Sequence, residues 1–187
     1  MILHALVDEL VTARAAIEGG ATVLQLRLKD VSTAELVERG EAFRDLCRDR
    51  EASFFVNDDV RGAIELDADG IHLGREDEGI DRARKAGLML GLSAQSLDEA
   101  RAVDAEQPAY IGAGPVWATP TKSDAAPIGL DGLREICKAV NAPVVAIGGI
   151  DATNARDCLE AGAVGVAVVR AAAGAARIRA ALDRAAV

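Results

Sequence analysis

Hydrophobic positions along the chain form short apolar runs, separated by longer segments with helical spacing. The apolar runs predict eight β-strands, at about residues 2–7, 23–27, 53–56, 70–73, 89–92, 110–113, 143–147 and 165–168. The segments between them predict eight helices, at about residues 10–18, 32–50, 60–66, 80–85, 96–105, 130–140, 152–161 and 175–185. Near-continuous apolar strands that alternate with helices are typical of a parallel sheet covered on its outside.

The number of strand–helix units favours one closed architecture. Eight units in 187 residues indicate a single α/β domain over 1–187, folded as a compact (β/α)8 TIM barrel with a shortened loop after its first strand. A doubly wound open sheet is the competing architecture. It would need a glycine-rich phosphate loop after the first strand, and Val7, Asp8 and Glu9 supply no glycine there.

Charge and cysteine content narrow the classes of partner. The formal net charge of −9 and the pI of about 4.8 argue against binding to nucleic acid and to anionic membrane surfaces, both of which attract basic proteins. Cys47, Cys137 and Cys158 are widely spaced and form no zinc or disulfide pattern. With no leader-like or membrane-spanning apolar run, we expect a cytoplasmic protein that acts on small molecules. Its oligomeric state stays open.

Unusual polar residues lie at the carboxyl ends of the predicted strands. From the second strand to the eighth they are Gln25, Arg27 and Lys29; Asn57 and Asp58; residues 74–77; Ser93; residues 119–122; Gly148 and Gly149; and Val169 and Arg170. In a barrel these loops meet at one mouth, the face where active sites of this fold lie. The sequence therefore predicts one site built from seven loops.

The longest of these loops has the residue types of a phosphate site. Thr119, Thr121 and Lys122 bring two hydroxyls and an ammonium group close to glycines 112 and 114, which leave backbone N–H groups uncovered. An ordinary polar loop after a strand is the alternative for this stretch alone. The loops after strands seven and eight often hold phosphate in this fold, which favours the functional interpretation.

Two carboxylates are candidates for a metal site. Asp58 and Asp77 follow neighbouring strands, and Mg²⁺ usually takes one or two protein carboxylates together with waters and substrate phosphates. Asp59, next to Asp58, leaves the register open, and Asp77 lies in a charged run that is also consistent with a solvated surface. We expect His72, which lies inside the fourth predicted strand, to be a hydrogen-bonded core residue rather than a catalytic one. No nucleophile–histidine motif is present, so acyl transfer is not expected.

Several of these segments together resemble the thiamine phosphate synthase family. The matching motifs are Gln25-Leu26-Arg27-Leu28-Lys29, Asn57-Asp58, residues 68–74 (ADGIHLG) with Asp77, Gly91-Leu92-Ser93, residues 110–112, Thr119-Pro120-Thr121-Lys122, residues 144–150 (VVAIGGI) and residues 165–169 (GVAVV). They occur in the family's order from about Gly19 to near the C-terminus. The resemblance implies a barrel transferase that joins hydroxymethylpyrimidine diphosphate to thiazole phosphate. Diphosphate is implied to leave by a dissociative, Mg²⁺-assisted step.

The resemblance also implies a role for each matching residue. The implied ligands of the pyrimidine diphosphate are Gln25, Leu26, Arg27, Leu28, Lys29, Asn57, Ser93 and Lys122, of which Arg27, Lys29, Ser93 and Lys122 are the implied catalytic residues. Asp58 and Asp77 are implied to hold Mg²⁺. The implied ligands of the thiazole phosphate are Thr119, Pro120, Thr121, Gly149, Val169 and Arg170.

The chain departs from the family pattern in four places. Arg75, Gln95 and Arg170 stand where the family usually has Gln, His and Ser, and the loop after the first strand is shorter. Two alternatives follow. A thiazole tautomerase shares the scaffold but relies on the His at the position of Gln95, and a barrel without turnover would bind thiamine precursors as a sensor or partner domain.

Overall fold

The predicted strands all form. The computed structural model describes residues 1–74, 77–122 and 125–184. Within these ranges the strands are β1 (Ile2–Val7), β2 (Val23–Leu26), β3 (Ser53–Asn57), β4 (Gly70–Leu73), β5 (Met89–Ala94), β6 (Tyr110–Ala113), β7 (Val144–Ile147) and β8 (Gly165–Val168).

The strands close into a parallel barrel in sequence order, β1 to β8, with β8 paired to β1. In that last pairing Ala5 lies opposite Val168, so the short loop after β1 does not prevent closure. The prediction of a (β/α)8 barrel is confirmed, and the open doubly wound sheet is excluded because the barrel has no edge strand.

Each strand is followed by a helix that covers the outside of the barrel. The helices are α1 (Leu10–Glu18), α2 (Thr33–Asp49), α3 (Val60–Glu65), α4 (Ile80–Lys85), α5 (Leu97–Asp104), α6 (Gly129–Ala139), α7 (Ala155–Glu160) and α8 (Ala175–Asp183). Short 3-10 helices lie at Pro120–Lys122 and Ala172–Gly174. No helix in the described ranges is long and apolar enough to cross a lipid bilayer.

Side-chain caps explain where two of these helices begin. Ser32 accepts a hydrogen bond from the Glu35 amide, and Ser96 accepts one from the Glu99 amide, both at 3.2 Å. These bonds satisfy amides that would otherwise lack a partner in the first helical turn. Ser followed three residues later by Glu is the sequence pattern of a capping box.

Strand alternation separates the core into two regions. Side chains such as Leu24, Leu26 and Val56 point outward and pack under the helices. Leu6 and Phe55 point into the barrel and belong to a smaller interior cluster with Tyr110, Val145 and Ala167. The interior cluster forms the floor beneath the mouth of the barrel.

Candidate functional site

A cavity of about 760 Å³ opens at the carboxyl ends of the strands. Among the residues that line it are twelve of those predicted from the sequence: Arg27, Lys29, Asn57, Asp58, Asp77, Ser93, Thr119, Pro120, Thr121, Gly149, Val169 and Arg170. A cavity of this size is in the range of small-molecule sites. The structure therefore brings most of the predicted residues together in one mouth.

Three of the other predicted residues have side chains that lie away from this cavity. Gln25 is 1% exposed and lies inside the barrel, below this cavity. The side chain of Leu26 is fully buried under the helices, and Leu28 packs against the same core, so neither side chain lines the cavity. Alternation turns the side chains of these two leucines away from the mouth, so their predicted contact with substrate stays a prediction for their backbone atoms. The side chain of Lys122 lies outside the described residues, as does Arg75.

Asp58 and Asp77 form a carboxylate pair at one side of the cavity. The two carboxyl groups lie close enough to affect each other's protonation, and Asp77 Oδ2 accepts a hydrogen bond from the Gly74 amide at 2.6 Å. Burial, followed by the hydrogen bond and the charge of Asp77, raises the pKa of Asp58 to about 7, although nearby Arg27 and Lys29 oppose the shift. At neutral pH this pair retains part of a shared proton.

The backbone of Asp58 has a constrained conformation. Asp58 has φ of 64°, in the left-handed region that is uncommon for residues other than glycine. Its amide donates to the His72 carbonyl at 2.9 Å, which holds this conformation. Asp59 instead caps α3, because its Oδ1 accepts from the Gly62 amide at 2.8 Å. The register left open by two consecutive aspartates is thus resolved, with Asp58 facing the cavity.

The pair fits a hard divalent cation. Two carboxylates close enough to share a proton concentrate negative charge that a cation would neutralise in the proton's place. Within the described ranges no group of three or more His, Cys, Asp or Glu side chains converges as a metal cage. A metal here would complete its shell with ligand oxygens and water, as Mg²⁺ commonly does.

Three positive side chains line the cavity, after the two strands that flank β1. Arg27 and Lys29 follow β2, and Arg170 follows β8. Among the described residues, none of the three has a carboxylate partner within 4.0 Å, whereas arginines on the outer helices are commonly paired. Three unpaired cations at the mouth of an acidic protein indicate a site for anions.

The loop after β7 can present backbone amides to an anion. Gly148 and Gly149 have φ of 99° and 70°, a conformation that favours glycine. A Cβ at Gly149 would lie 2.7 Å from Trp117 Cβ, so the residue must also be small. Its carbonyl accepts from Asn154 Nδ2 at 3.0 Å, which fixes the peptide. Gly149 therefore lies in a rigid turn against Trp117 and Ala118.

The floor of the cavity contains a hydrogen-bonded histidine. His72 Nδ1 lies 2.8 Å from Tyr110 Oη, and His72 Nε2 lies 2.9 Å from Ser93 Oγ. The rings of His72 and Tyr110 stack with centroids 5.5 Å apart. Burial raises the pKa of the Tyr110 hydroxyl, which stays protonated. His72 is thus a hydrogen-bonded residue of the barrel interior that also lines the site and holds Ser93.

Sequence reasoning did not assign His72 or Asp151 to the site, although both line the cavity. His72 could have been predicted to face the cavity. Side chains at every second position of a strand point the same way, and His72 shares its direction with Gly70 and Gly74. Asp151 follows the paired glycines after β7 and carried no separate signal. Gln95 does not line the cavity, and its backbone amide donates a hydrogen bond to the Glu99 carboxylate at 2.8 Å.

Comparisons with known sequences and with a solved structure all identify the same protein family. The profile of a family described as thiamine monophosphate synthase matches residues 4–172. The thiamine-phosphate synthase of Pyrococcus furiosus is 46% identical over 177 residues, covering 94% of this chain and 86% of the relative. That of Moorella thermoacetica is 47% identical over 175 residues, covering 91% and 83%. A solved structure of thiamine phosphate pyrophosphorylase from Pyrococcus furiosus superposes with a TM-score of 0.90 and 40% identity, covering 97% and 95% of the two chains.

Proposed function

The chain belongs to the thiamine monophosphate synthase family, and on that premise we propose that its barrel mouth joins hydroxymethylpyrimidine diphosphate to thiazole phosphate. The products are thiamine phosphate and diphosphate. The chain is accordingly a transferase. The observation that carries the proposal is the convergence of unpaired cations, a carboxylate pair and a phosphate-type loop on one cavity of about 760 Å³.

The proposed reaction begins with loss of diphosphate. The C–O bond of the pyrimidine methylene group breaks, its electron pair leaves with diphosphate, and the thiazole nitrogen captures the resulting cation. Such a step needs countercharge for the leaving group and alignment of two partners, without a protein nucleophile or base. Arg27 and Lys29 are suited to supply that countercharge, and we assign Lys122 to the same role from its place in the sequence.

Asp58 and Asp77 are the residues that would hold Mg²⁺. When bound, the ion would neutralise charge on the departing diphosphate. The raised pKa of Asp58 supports this assignment, because a proton held between two carboxylates marks a place where a cation is favoured. The positive charges of Arg27 and Lys29 also reduce the repulsion between the Asp58 and Asp77 carboxylates.

The two substrates are assigned to opposite sides of the cavity. The pyrimidine side comprises Asn57 and Ser93, with Gln25 beneath them. The thiazole phosphate side comprises Thr119, Pro120, Thr121, Gly149, Val169 and Arg170. Backbone amides and hydroxyls on this side suit phosphate oxygens, and Arg170 adds a guanidinium where it can pair with them.

We further place the enzyme in the cytoplasm as a single-domain barrel. The three cysteines are free thiols, and burial raises the pKa of Cys47 and of Cys158 to about 12. Unreactive, unpaired thiols agree with a reducing compartment. Retention of disulfides in protein isolated under non-reducing conditions would contradict this placement.

A direct assay tests the proposal. The protein is mixed with both phosphorylated precursors and Mg²⁺, and the release of diphosphate and thiamine phosphate is followed with and without chelator. Metal-dependent formation of both products in equal amounts is the expected result. Binding of both precursors without product would instead indicate a sensor. Migration of the thiazole double bond without coupling would indicate a tautomerase.

A further inference from the structure

Three side chains of the barrel interior form a hydrogen-bonded row that runs from the floor to the mouth. Tyr110 Oη lies 2.8 Å from His72 Nδ1, and His72 Nε2 lies 2.9 Å from Ser93 Oγ. Tyr110 is 7% exposed and does not line the main cavity, whereas His72 and Ser93 both line it. The row therefore connects a buried hydroxyl to a hydroxyl that a ligand can reach.

The register of the strands explains why these side chains meet. His72 in β4 and Tyr110 in β6 both lie level with Gly91 of β5, the strand between them. Because Gly91 has no side chain, the two rings meet over it and stack with centroids 5.5 Å apart. A Cβ at Gly91 would lie 2.6 Å from Tyr110 Oη, so a glycine is needed to leave this space open. Ser93 follows two positions later on the same face of β5, closer to the mouth.

The surroundings of the Tyr110 hydroxyl determine which group donates. Among the described residues, His72 Nδ1 is the one hydrogen-bond partner of this hydroxyl. Burial raises the pKa of Tyr110, so the hydroxyl keeps its hydrogen. If the hydroxyl accepted a hydrogen bond from Nδ1, its own hydrogen would be left without an acceptor inside the barrel, which is unfavourable. Donation from Tyr110 to Nδ1 satisfies both groups.

We propose that Tyr110 is a positioning residue that makes Ser93 a hydrogen-bond donor to the ligand. When Nδ1 accepts a hydrogen bond, His72 is a neutral imidazole with its proton on Nε2. Nε2 then donates to Ser93 Oγ, and the hydroxyl hydrogen of Ser93 remains available to the cavity. The mouth therefore offers a donor at Ser93, which suits a ring nitrogen or a diphosphate oxygen.

The protonated nitrogen of His72 can be measured without substrate. Because the chain has two histidines, ¹⁵N-histidine labelling gives a simple NMR spectrum, and the signals lost in His72→Gln are those of His72. We expect the proton on Nε2 at pH 8 in the unmodified protein. In Tyr110→Phe, which keeps the ring and removes only the hydroxyl, a measurable fraction should move to Nδ1.

Two results of this measurement would overturn the inference, whatever the enzyme's activity. A proton on Nδ1 in the unmodified protein would mean that the Tyr110 hydroxyl donates elsewhere, for example to a water in the neighbouring cavity of about 30 Å³. An unchanged distribution of the proton in Tyr110→Phe would mean that Tyr110 does not control it.

Kinetics test the effect on the ligand, and this part rests on the proposed function. Tyr110→Phe should raise the KM for the pyrimidine diphosphate about fivefold, as expected for one lost hydrogen bond, and leave the KM for thiazole phosphate within about twofold. Ser93→Ala already lacks the donor, so adding Tyr110→Phe to it should change the first KM by less than about twofold. Phe55→Leu is the matched control, because Phe55 packs against Tyr110 with centroids 5.9 Å apart and makes no side-chain hydrogen bond.

The outcomes separate the inference from the proposed function. An equal effect of Tyr110→Phe with and without the Ser93 hydroxyl, or an equal rise of KM in Phe55→Leu, would overturn the positioning role. Absence of product from the unmodified protein would refute the proposed synthase instead, and the NMR measurement would still decide which nitrogen of His72 carries the proton.

Discussion

Replacing Asp58 by Asn tests the carboxylate pair directly. The substitution keeps the size of the side chain and removes one of the two charges that face each other at the mouth. Asp58 has its pKa raised to about 7, with burial, then Asp77, as the causes. A proton must therefore leave the pair before a cation can enter it at acidic pH.

The carboxylate pair predicts two magnitudes for the Mg²⁺ requirement, one from its pKa and one from its charge. For the unmodified protein, the concentration of Mg²⁺ giving half-maximal rate should rise about tenfold for each pH unit below about 7. For Asp58→Asn it should be about 100-fold higher at pH 8. This factor is estimated from the attraction between the Asp58 carboxylate and the cation. Opposite charges 4 Å apart attract by about 4 kcal/mol at an effective dielectric constant of 20. Desolvation of the two charges reduces the net contribution to about 3 kcal/mol, which corresponds to the change of about 100-fold.

The same pair affects stability in the absence of metal. A carboxyl group whose pKa is higher in the folded protein contributes stability at low pH, and this stability is lost as the pH rises from about 4 through about 7. At pH 8 the repulsion is fully present, so Asp58→Asn should stabilise the metal-free protein. Because Asp58 is partly open to solvent, we expect about 1 kcal/mol, or a rise in Tm of roughly 2–4 °C.

The assay is diphosphate release titrated with Mg²⁺ between pH 6 and pH 8.5, combined with thermal unfolding in chelator. Asp59→Asn is the matched control: it removes a neighbouring charge but retains a good N-cap for α3, so its metal requirement should not change. An Asp58→Asn enzyme with an unchanged Mg²⁺ requirement, or with the unmodified pH dependence, would refute the reasoning.

Three further predictions concern the anion-binding side chains and loops. Arg27→Gln should raise the barrier by about 2–4 kcal/mol, lowering kcat/KM roughly 30- to 1000-fold, and a smaller loss would remove this guanidinium from the transition state. Arg170→Ser should raise the KM for thiazole phosphate by about five- to tenfold, whereas a lower KM would mean that Arg170 crowds the pocket. Gly149→Ala should cost about 1–3 kcal/mol of stability and weaken thiazole phosphate binding, because φ is 70° and the new Cβ would meet Trp117 at 2.7 Å. Gly87→Ala, with φ of 77° and open space around it, isolates the backbone cost, and equal effects of the two substitutions on binding would contradict the proposed contact.

The fold was predictable because hydrophobic spacing and burial agree along most of the chain. Differences arise where local hydrogen bonds override apolar spacing. Helix α7 begins at Ala155, three residues later than predicted, because Asp151 Oδ1 accepts from the amide and hydroxyl of Thr153 and forms a turn first. Strand β5 extends through Ser93 and Ala94 because β6 pairs with it there, a tertiary contact that sequence spacing does not reveal.

The site was predictable at the level of loops but not of side-chain direction. The polar residues after the strands converge because parallel strands end at one face. Leu26 was included from a contiguous motif, and its burial shows that a motif does not distinguish the inward residue from the outward one. The hydrogen bonds from Gln25 to Asn57 and from His72 to Ser93 join neighbouring strands across 32 and 21 positions of sequence, so no local sequence pattern predicts them.

Trp117 gives this protein an optical reporter. It is the single tryptophan of the chain, half-buried, and its amide donates to the Gly148 carbonyl at 3.0 Å, directly against the Gly149 turn. Indole emission depends on the polarity around the ring, so the arrival of one substrate next to this turn should change the fluorescence of the whole protein. Order of substrate addition and the rate of product departure could then be followed by stopped flow without any attached dye.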